Sequence, residues 1–106
     1  MYEIEFFNIR VEKDIRQWPV GIQADFLRII ELMVIHGGNL GAPRTKSIEK
    51  GLFEIRAKGK EGIGRAFFCT VKDKRIIILH AFIKKSQKTP RQELETARSR
   101  MKRLAQ

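Results

Sequence analysis

The stretch that decides the fold is Leu52 to Phe82, LFEIRAKGKEGIGRAFFCTVKDKRIIILHAF. It contains three runs of apolar, aromatic and β-branched residues, a composition typical of β-strands. These runs predict strands over Leu52 to Ala57, Ile63 to Val71 and Arg75 to Phe82. The runs are separated by short connections over Lys58 to Gly62 and Lys72 to Lys74. Connections this short join antiparallel neighbours, so the stretch predicts a three-stranded antiparallel sheet.

The chain before this stretch predicts one strand, two helices and a loop. Tyr2 to Ile9 is rich in aromatic and β-branched residues and predicts a first strand. Apolar residues at helical spacing then predict a short helix that ends before Pro19. A second helix runs from Pro19 to about His36, where a Gly-Gly pair ends it. Glycines, a proline and scattered polar residues over Asn39 to Gly51 predict a loop.

A last helix is predicted to begin near Pro90, with Thr89 as its N-cap and Glu93 in its first turn. The predicted order of elements is therefore β, α, α, β, β, β, α. Such an order indicates an α+β domain spanning residues 1–106, with helices packed on one face of a mostly antiparallel four-stranded sheet. We expect the opposite face of that sheet to be free for a ligand.

Length and composition limit the classes of protein to consider. The chain has 106 residues, of which 42% are hydrophobic and 32% charged, which suits one globular domain. The longest apolar runs are far shorter than the roughly 20 residues of a membrane span, so we expect no membrane partner. A single cysteine, Cys69, excludes an internal disulfide and a cysteine-cluster metal site. These features fit a cytoplasmic location.

The positive charge is concentrated in the last third of the chain. The formal net charge is +10, and residues 1–51 hold equal numbers of basic and acidic side chains. Residues 72–106 hold eleven Lys and Arg against three Asp and Glu, a balance of +8. A field of this kind attracts polyanions such as nucleic acid, an anionic membrane surface or an acidic protein segment. The alternative is a solvated surface that keeps a small protein soluble.

Two arginines, Arg56 and Arg65, lie within the first two strands predicted in the central stretch. Alternation along the first strand of the central stretch puts Phe53 and Ile55 toward the core and Arg56 away from it. Arg56 is therefore either a ligand contact or a surface arginine paired with a neighbouring acid. The direction of Arg65 stays open, because both faces of its strand are largely apolar. A bulge near Gly64 would re-aim it.

Three lysines, Lys84, Lys85 and Lys88, crowd the end of the last strand and the approach to the last helix. Neighbouring ammonium groups lower each other's pKa toward a range useful for proton transfer. An ordinary basic loop that binds phosphate without chemistry is the other interpretation. His80 shares its predicted strand face with Phe82 and Ile78, which favours a hydrogen-bonded core histidine. The sequence contains no Gly-rich phosphate loop, no HExxH and no cluster at metal-ligand spacing, so we expect no metal and no cofactor.

Three motifs occur in an order that resembles the RelE/HigB-type toxins of bacterial type II toxin–antitoxin systems, and most of all their phage-associated, HigB-like branch. The motifs are GLFEIR (Gly51 to Arg56), GRAFF (Gly64 to Phe68) and LHAFIKKSQKTP (Leu79 to Pro90). The loop GAP..K (Gly41 to Lys46) and the helix pattern E.E.A..R (Glu93 to Arg98) also fit. The likeness thus covers nearly the whole chain.

The resemblance implies a RelE-like fold and a toxin that cleaves mRNA without a metal, typically on the ribosome, where translation is then inhibited. It also implies a cognate antitoxin with a helix-turn-helix domain. Matched residue by residue, it assigns catalytic roles to Arg56, Arg65, Lys84 and Lys85 and RNA contacts to Lys88, Lys58, Phe68 and Arg91.

One departure from the family pattern keeps other functions open. Related chains often have a tyrosine near Phe68 or at the C-terminus, whereas the one tyrosine of this chain is Tyr2. A phenylalanine can stack on a base but cannot transfer a proton. The alternatives are a non-catalytic module that binds RNA or the ribosome, and a ParE-like inhibitor of DNA gyrase.

Overall fold

The structure is a computed structural model that describes residues 1–85 and 90–105. Its elements are β1 (Glu3–Phe6), α1 (Ile9–Arg16), α2 (Val20–His36), β2 (Thr45–Glu49), β3 (Leu52–Gly59), β4 (Gly62–Val71), β5 (Arg75–Ile83) and α3 (Arg91–Leu104). The strands form one sheet in the order β1-β5-β4-β3-β2. Strand β1 runs parallel to β5, and the other neighbours are antiparallel. The α+β class is confirmed, but the sheet has five strands rather than the predicted four.

The additional strand is β2, which lies in the segment predicted to be a loop. Its sequence TKSIE lacks the apolar alternation of a half-buried strand, because β2 is an edge strand. Thr45 is buried and its Oγ1 accepts hydrogen bonds from the amides of Leu40 and Gly41, each at 2.9 Å. Pairing with β3 brings Lys46 opposite Glu54.

Helices cover both faces of the sheet, which corrects the prediction that they share one face. Helices α1 and α2 pack on one face through a core that includes Trp18, Phe26 and Phe68. Helix α3 packs on the opposite face, where Ala97 contacts a second cluster that includes Phe67 and Leu79. The physical reason is that β4 and β5 carry apolar residues on both faces, so that each face requires cover.

A bulge in β5 decides which way His80 points. Phe67 of β4 is paired with His80 of β5, and the next residue of β4, Phe68, is paired with Ile78. Leu79 therefore has no partner in β4 and is the additional residue of the bulge. Leu79 and His80 consequently both face α3. His80 shares this face with Phe82, as predicted, but Ile78 faces the opposite core.

Gly64 permits close packing of β4 against α2 and against Trp18, which lies between α1 and α2, rather than forming the bulge that the sequence suggested. It pairs regularly with Ala57 and with Ile83. A Cβ atom at this position would lie 2.7 Å from the Trp18 ring and 2.8 Å from Ile22. Gly64 therefore faces α1 and α2, and the next residue, Arg65, faces the other side of the sheet.

The end of β1 and the start of α3 differ from the prediction. Strand β1 stops at Phe6 because Asn8 caps α1, its Oδ1 accepting a hydrogen bond from the Val11 amide at 3.0 Å. Helix α3 has Pro90 at its N-cap position and no side-chain cap. The predicted cap, Thr89, lies outside the described residues.

Phe68 is a core residue rather than the RNA contact that the sequence predicted. Its side chain is 0% exposed and stacks on Phe53 with 5.6 Å between the ring centroids. A ring without an exposed face cannot stack on a nucleotide base.

We expect Phe68→Ala to lower the free energy of unfolding by about 3–5 kcal/mol, because it removes a buried ring and leaves a cavity. Urea denaturation measures this loss. Val20→Ala is the control, since Val20 is 82% exposed and its truncation should change stability by less than about 0.5 kcal/mol. Equal stabilities for the two variants would contradict the placement of Phe68 in the core.

Candidate active site on the sheet face beside helix α3

Three cross-strand rows place basic residues on the face that α3 covers only in part. In the middle row, Arg56 of β3 is paired with Arg65 of β4, which is paired with Phe82 of β5. Lys58 belongs to the row beyond, opposite Ile63, whose carbonyl accepts a hydrogen bond from the Lys84 amide at 2.8 Å. The row on the other side joins Lys46, Glu54, Phe67 and His80. Residues of one row share a face, so these cations lie on one surface.

The pairing of β3 with β4 settles the direction of Arg65, which the sequence left open. Because Arg65 lies directly opposite Arg56, the two guanidinium groups are on the same face. The side chain of Arg56 is 30% exposed and that of Arg65 is 9% exposed. Arg56 is therefore accessible to a ligand, and Arg65 lies deeper.

Glu54 supplies the negative charge between these two arginines. Its Oε2 lies 3.4 Å from Nη1 of Arg65, and its Oε1 lies 3.9 Å from Nε of Arg56. The Glu54 side chain is only 2% exposed, so solvent does not screen these contacts. Both distances are longer than the donor–acceptor distance of a good hydrogen bond. The contacts are therefore chiefly electrostatic. Each carboxylate oxygen thus faces a different guanidinium group.

The buried position of Glu54 changes its protonation equilibrium. Burial raises the pKa of this carboxyl above the ordinary value, and the positive charges of Arg65, Arg56, Lys46 and Lys84 oppose that rise. The same cluster acts on the amine. Desolvation, followed by repulsion from Arg65, Arg56 and Lys46, lowers the pKa of Lys84, while Glu54 acts in the opposite direction. At a given pH, a larger fraction of Lys84 than of an ordinary lysine is therefore neutral and able to act as a base.

Lys85 opens onto a groove next to the start of α3. The groove has a volume of about 490 Å³ and is lined by Phe82, Ile83, Lys85, Pro90, Gln92 and Glu93. Lys85 is exposed and Lys84 is half-buried. The two neighbouring lysines therefore differ in environment: one lies among the arginines and the other at the rim of the groove.

His80 joins β5 to α3. Its Nε2 lies 2.9 Å from Oε1 of Glu93, and the two side chains are 18% and 26% exposed. The His80 ring also stacks on Phe82 at 6.1 Å between centroids. These contacts fit the hydrogen-bonded histidine predicted from the sequence, and they fix the first turn of α3 beside the groove.

The remaining predicted residues lie around the cluster. Lys58 is exposed on the same face, and its amide donates a 2.7 Å hydrogen bond to Oδ2 of Asp25. Arg91 is 90% exposed at the start of α3, where it pairs with Glu95. Lys88 lies outside the described residues. The structure therefore brings Arg56, Arg65 and Lys84 together and places Lys58, Lys85 and Arg91 farther out.

Sequence reasoning missed Glu54 and Lys46 as members of the site. The alternation that directs Arg56 away from the core places Glu54 on the same face, and this acidic residue within GLFEIR, two positions before Arg56, was the available signal. Lys46 had no such signal, because its position depends on β2, which was predicted to be a loop.

Neither a metal-binding cluster nor a membrane-spanning helix is present in residues 1–85 and 90–105. No group of three or more His, Cys, Asp or Glu side chains in these residues could hold a metal ion. Within the same ranges, no helix is both long and apolar enough to cross a membrane.

The sequence profile of a family described as phage-derived protein Gp49-like (DUF891) matches residues 13–102. The chain belongs to the Gp49-like family. The match runs from α1 into α3, so all the site residues of this Gp49-like protein lie within it. The family is recognised as RelE/HigB-like, which confirms the predicted resemblance at the level of the family. A comparison with curated proteins found no match.

We expect the Lys84 amine to titrate below the ordinary lysine value of 10.5, because it is desolvated and has arginines beside it. Arg56→Met should raise the pKa of Lys84 by removing one of these positive charges. Side-chain NMR of lysines labelled with ¹³C and ¹⁵N measures both values. Arg28→Met, at an exposed position on α2, is the matched control and should leave the Lys84 titration unchanged. A Lys84 titration at the ordinary value would contradict the arrangement.

Proposed function

We propose that this protein is the toxin of a type II toxin–antitoxin system and cleaves mRNA on the ribosome without a metal ion. The observation that carries the proposal is the convergence of Arg56, Arg65 and Lys84 on one sheet face around Glu54. Membership in the Gp49-like family supports it. The +8 balance of residues 72–106 adds the long-range attraction that a polyanionic substrate requires.

The proposed reaction is an intramolecular transfer within the RNA. The ribose 2′-oxygen attacks the adjacent phosphorus, a 2′-O–P bond forms, and the bond from phosphorus to the 5′-oxygen breaks. The products are a 2′,3′-cyclic phosphate and a 5′-hydroxyl. A base must accept the proton of the 2′-hydroxyl, cations must stabilise the charge growing on the phosphoryl oxygens, and the 5′-oxygen must receive a proton.

The arginines are suited to the phosphoryl oxygens. A guanidinium group stays charged and donates hydrogen bonds in a planar fork that matches phosphate geometry. Arg56 is the more exposed of the pair and would contact the phosphate directly. Arg65 lies behind it and adds positive charge where the dielectric is low.

Lys84 is the candidate general base, since its neutral form is favoured by desolvation and by the nearby arginines. Lys85, at the rim of the groove, would position the RNA. The departing 5′-oxygen takes a proton from the protonated Lys85 amine or from water. Tyr2 has no part in this scheme, because its ring packs against Gly37, next to a cavity between the end of α2 and Phe53.

The proposed inhibitor is a cognate antitoxin that combines a helix-turn-helix domain with an acidic segment. Helix α3 covers part of the sheet face that the sequence predicted to be free for a ligand. The acidic segment would therefore bind the remaining part, where Lys46, Arg56, Lys58 and Lys84 supply complementary charge. A toxin acting on translated mRNA would work in the cytoplasm.

We expect Arg56→Ala to lower the cleavage rate about 10²–10³-fold, because it removes a preorganised charge from the transition state. Lys84→Ala should lower it about 10²–10⁴-fold through loss of the base. The measurement is cleavage of a defined mRNA on purified translating ribosomes, with mapping of the new 5′ ends.

Arg28→Ala and Lys13→Ala are the matched controls, because they remove the same charges from exposed positions on α2 and α1 and should cleave at the wild-type rate. Wild-type cleavage by folded, ribosome-bound Arg56→Ala and Lys84→Ala would refute the catalytic assignment. Salt-sensitive ribosome binding with intact mRNA would instead identify a non-catalytic module. Loss of DNA supercoiling with intact mRNA would identify a gyrase inhibitor.

The pH dependence of cleavage provides a further test. A base acts in its deprotonated form, so the rate should rise with pH and level off once the Lys84 amine is neutral. Because the pKa of Lys84 is lowered, the midpoint of this rise should lie below 10.5. Lys84→Arg keeps the charge but cannot deprotonate in this range, and should remove the rise. An unchanged profile in Lys84→Arg would show that another group is the base.

A further inference from the structure

Glu54 is unusual on this surface because it is acidic, buried and surrounded by cations. Its residue exposure is 1%, and two of its cationic neighbours are less than 4 Å away. A carboxylate taken out of water costs several kcal/mol unless opposite charges compensate for it. The proposed reaction assigns no step to Glu54, so its presence at this position needs another explanation.

We propose that Glu54 is a positioning residue whose buried carboxylate holds Arg56 and Arg65 side by side and keeps the amine of Lys84 in a fixed electrostatic environment, without contacting the RNA. This inference rests on the proposed function, since it concerns the same site. It extends that function by naming the residue that assembles the catalytic cations.

The pairing of the strands creates the need for such a residue. Like charges directly opposite each other on neighbouring strands repel and destabilise the pairing. Arg56 and Arg65 are in this relation. Glu54 is two residues from Arg56 on the same strand face, and its two oxygens point to different arginines. A single carboxylate therefore offsets the repulsion and fixes both guanidinium groups.

Burial excludes a direct role in substrate binding. The Glu54 side chain is 2% exposed, whereas that of Arg56 is 30% exposed. A negative charge that reached the surface would repel an RNA phosphate. The carboxylate lies beneath the cations instead, so the surface presented to RNA remains positive. Preorganised charge of this kind need not rearrange when the transition state forms.

Glu54 also acts on the titration of Lys84. Among residues 1–85 and 90–105, the charged groups that act on Lys84 are Arg65 from β4, Arg56 and Glu54 from β3, and Lys46 from β2. Of these, only Glu54 raises the pKa of the amine. A neutral side chain at position 54 would remove this one compensating charge, and the pKa of Lys84 would fall further. A residue that merely filled space in the core would have no such effect.

The test compares Glu54→Gln with Glu54→Asp. Glutamine keeps the size and an oxygen that accepts hydrogen bonds but removes the charge, while aspartate keeps the charge on a shorter side chain. Glu5→Gln is the matched control, because Glu5 of β1 forms an ion pair with Arg75 of β5, outside this cluster. Each variant is measured for the free energy of unfolding, for kcat and KM, for the pH–rate profile and for the Lys84 pKa by NMR.

For Glu54→Gln we expect kcat to fall about 10²-fold, the cost of misplaced catalytic groups, with a smaller change in KM. The rising limb of the pH–rate profile and the Lys84 pKa should both move to lower pH. Glu54→Asp should recover part of kcat and restore the Lys84 pKa toward wild type. Glu5→Gln should match the wild-type protein in kcat and in the Lys84 titration.

A folded Glu54→Gln variant with wild-type kcat and an unchanged Lys84 pKa would overturn the inference while leaving the proposed function intact. If the wild-type protein cleaves no RNA, the proposed function fails, and the Lys84 titration still decides whether Glu54 organises the cluster. If Glu54→Gln does not fold, Glu54→Asp carries the test. A folded Asp variant that keeps the wild-type Lys84 pKa but loses the full ~10²-fold in kcat, with no recovery from the retained charge, would then count against positioning through charge.

Discussion

The placement of Arg56 directly opposite Arg65 is the constraint on which the site depends. The β3–β4 register that produces it also places Phe53 against Phe68 in the core beneath α1 and α2. Because side chains alternate along a strand, one register assigns the aromatic pair to one face and the arginine pair to the other. A slip by one residue would bury the guanidinium groups under the helices and expose the rings. Folding and assembly of the site are therefore the same event in this protein.

Helix α3 determines which part of the sheet face with Arg56 and Arg65 is exposed. It packs over Leu52, Phe67 and Leu79 and leaves the rows that contain Arg56 and Lys58 uncovered. The bulge at Leu79 contributes, because it turns His80 toward Glu93 and thereby fixes the first turn of α3. The covered part of the face stabilises the sheet by burying apolar surface, and the uncovered part keeps its charge accessible. One part of each strand thus stabilises the fold under α3, and another part of the same strand remains accessible to a ligand.

The sequence predicted those features that depend on local pattern. Strands β3, β4 and β5, helices α1 and α2 and the outward direction of Arg56 all follow from apolar periodicity. Features that depend on distant pairing were not predictable in this way. Strand β2 has no apolar alternation of its own, Arg65 has apolar residues on both faces of its strand, and the bulge at Leu79 reverses the expected relation of His80 to Ile78. Phe68 was misassigned because a phenylalanine in a motif gives no sign of its burial.

The energetics of Glu54 indicate why a carboxylate is found at a buried strand position. An apolar side chain of similar size would pack between the same strands without the desolvation penalty, and such replacements of buried ion pairs are often neutral or stabilising. That replacement would remove the carboxylate that offsets the repulsion between Arg56 and Arg65, and the repulsion would favour a larger separation of the two guanidinium groups. On this proposal the carboxylate keeps the two guanidinium groups close together by compensating both of their charges. Glu54 is therefore better explained by the geometry of the cations than by the stability of the sheet.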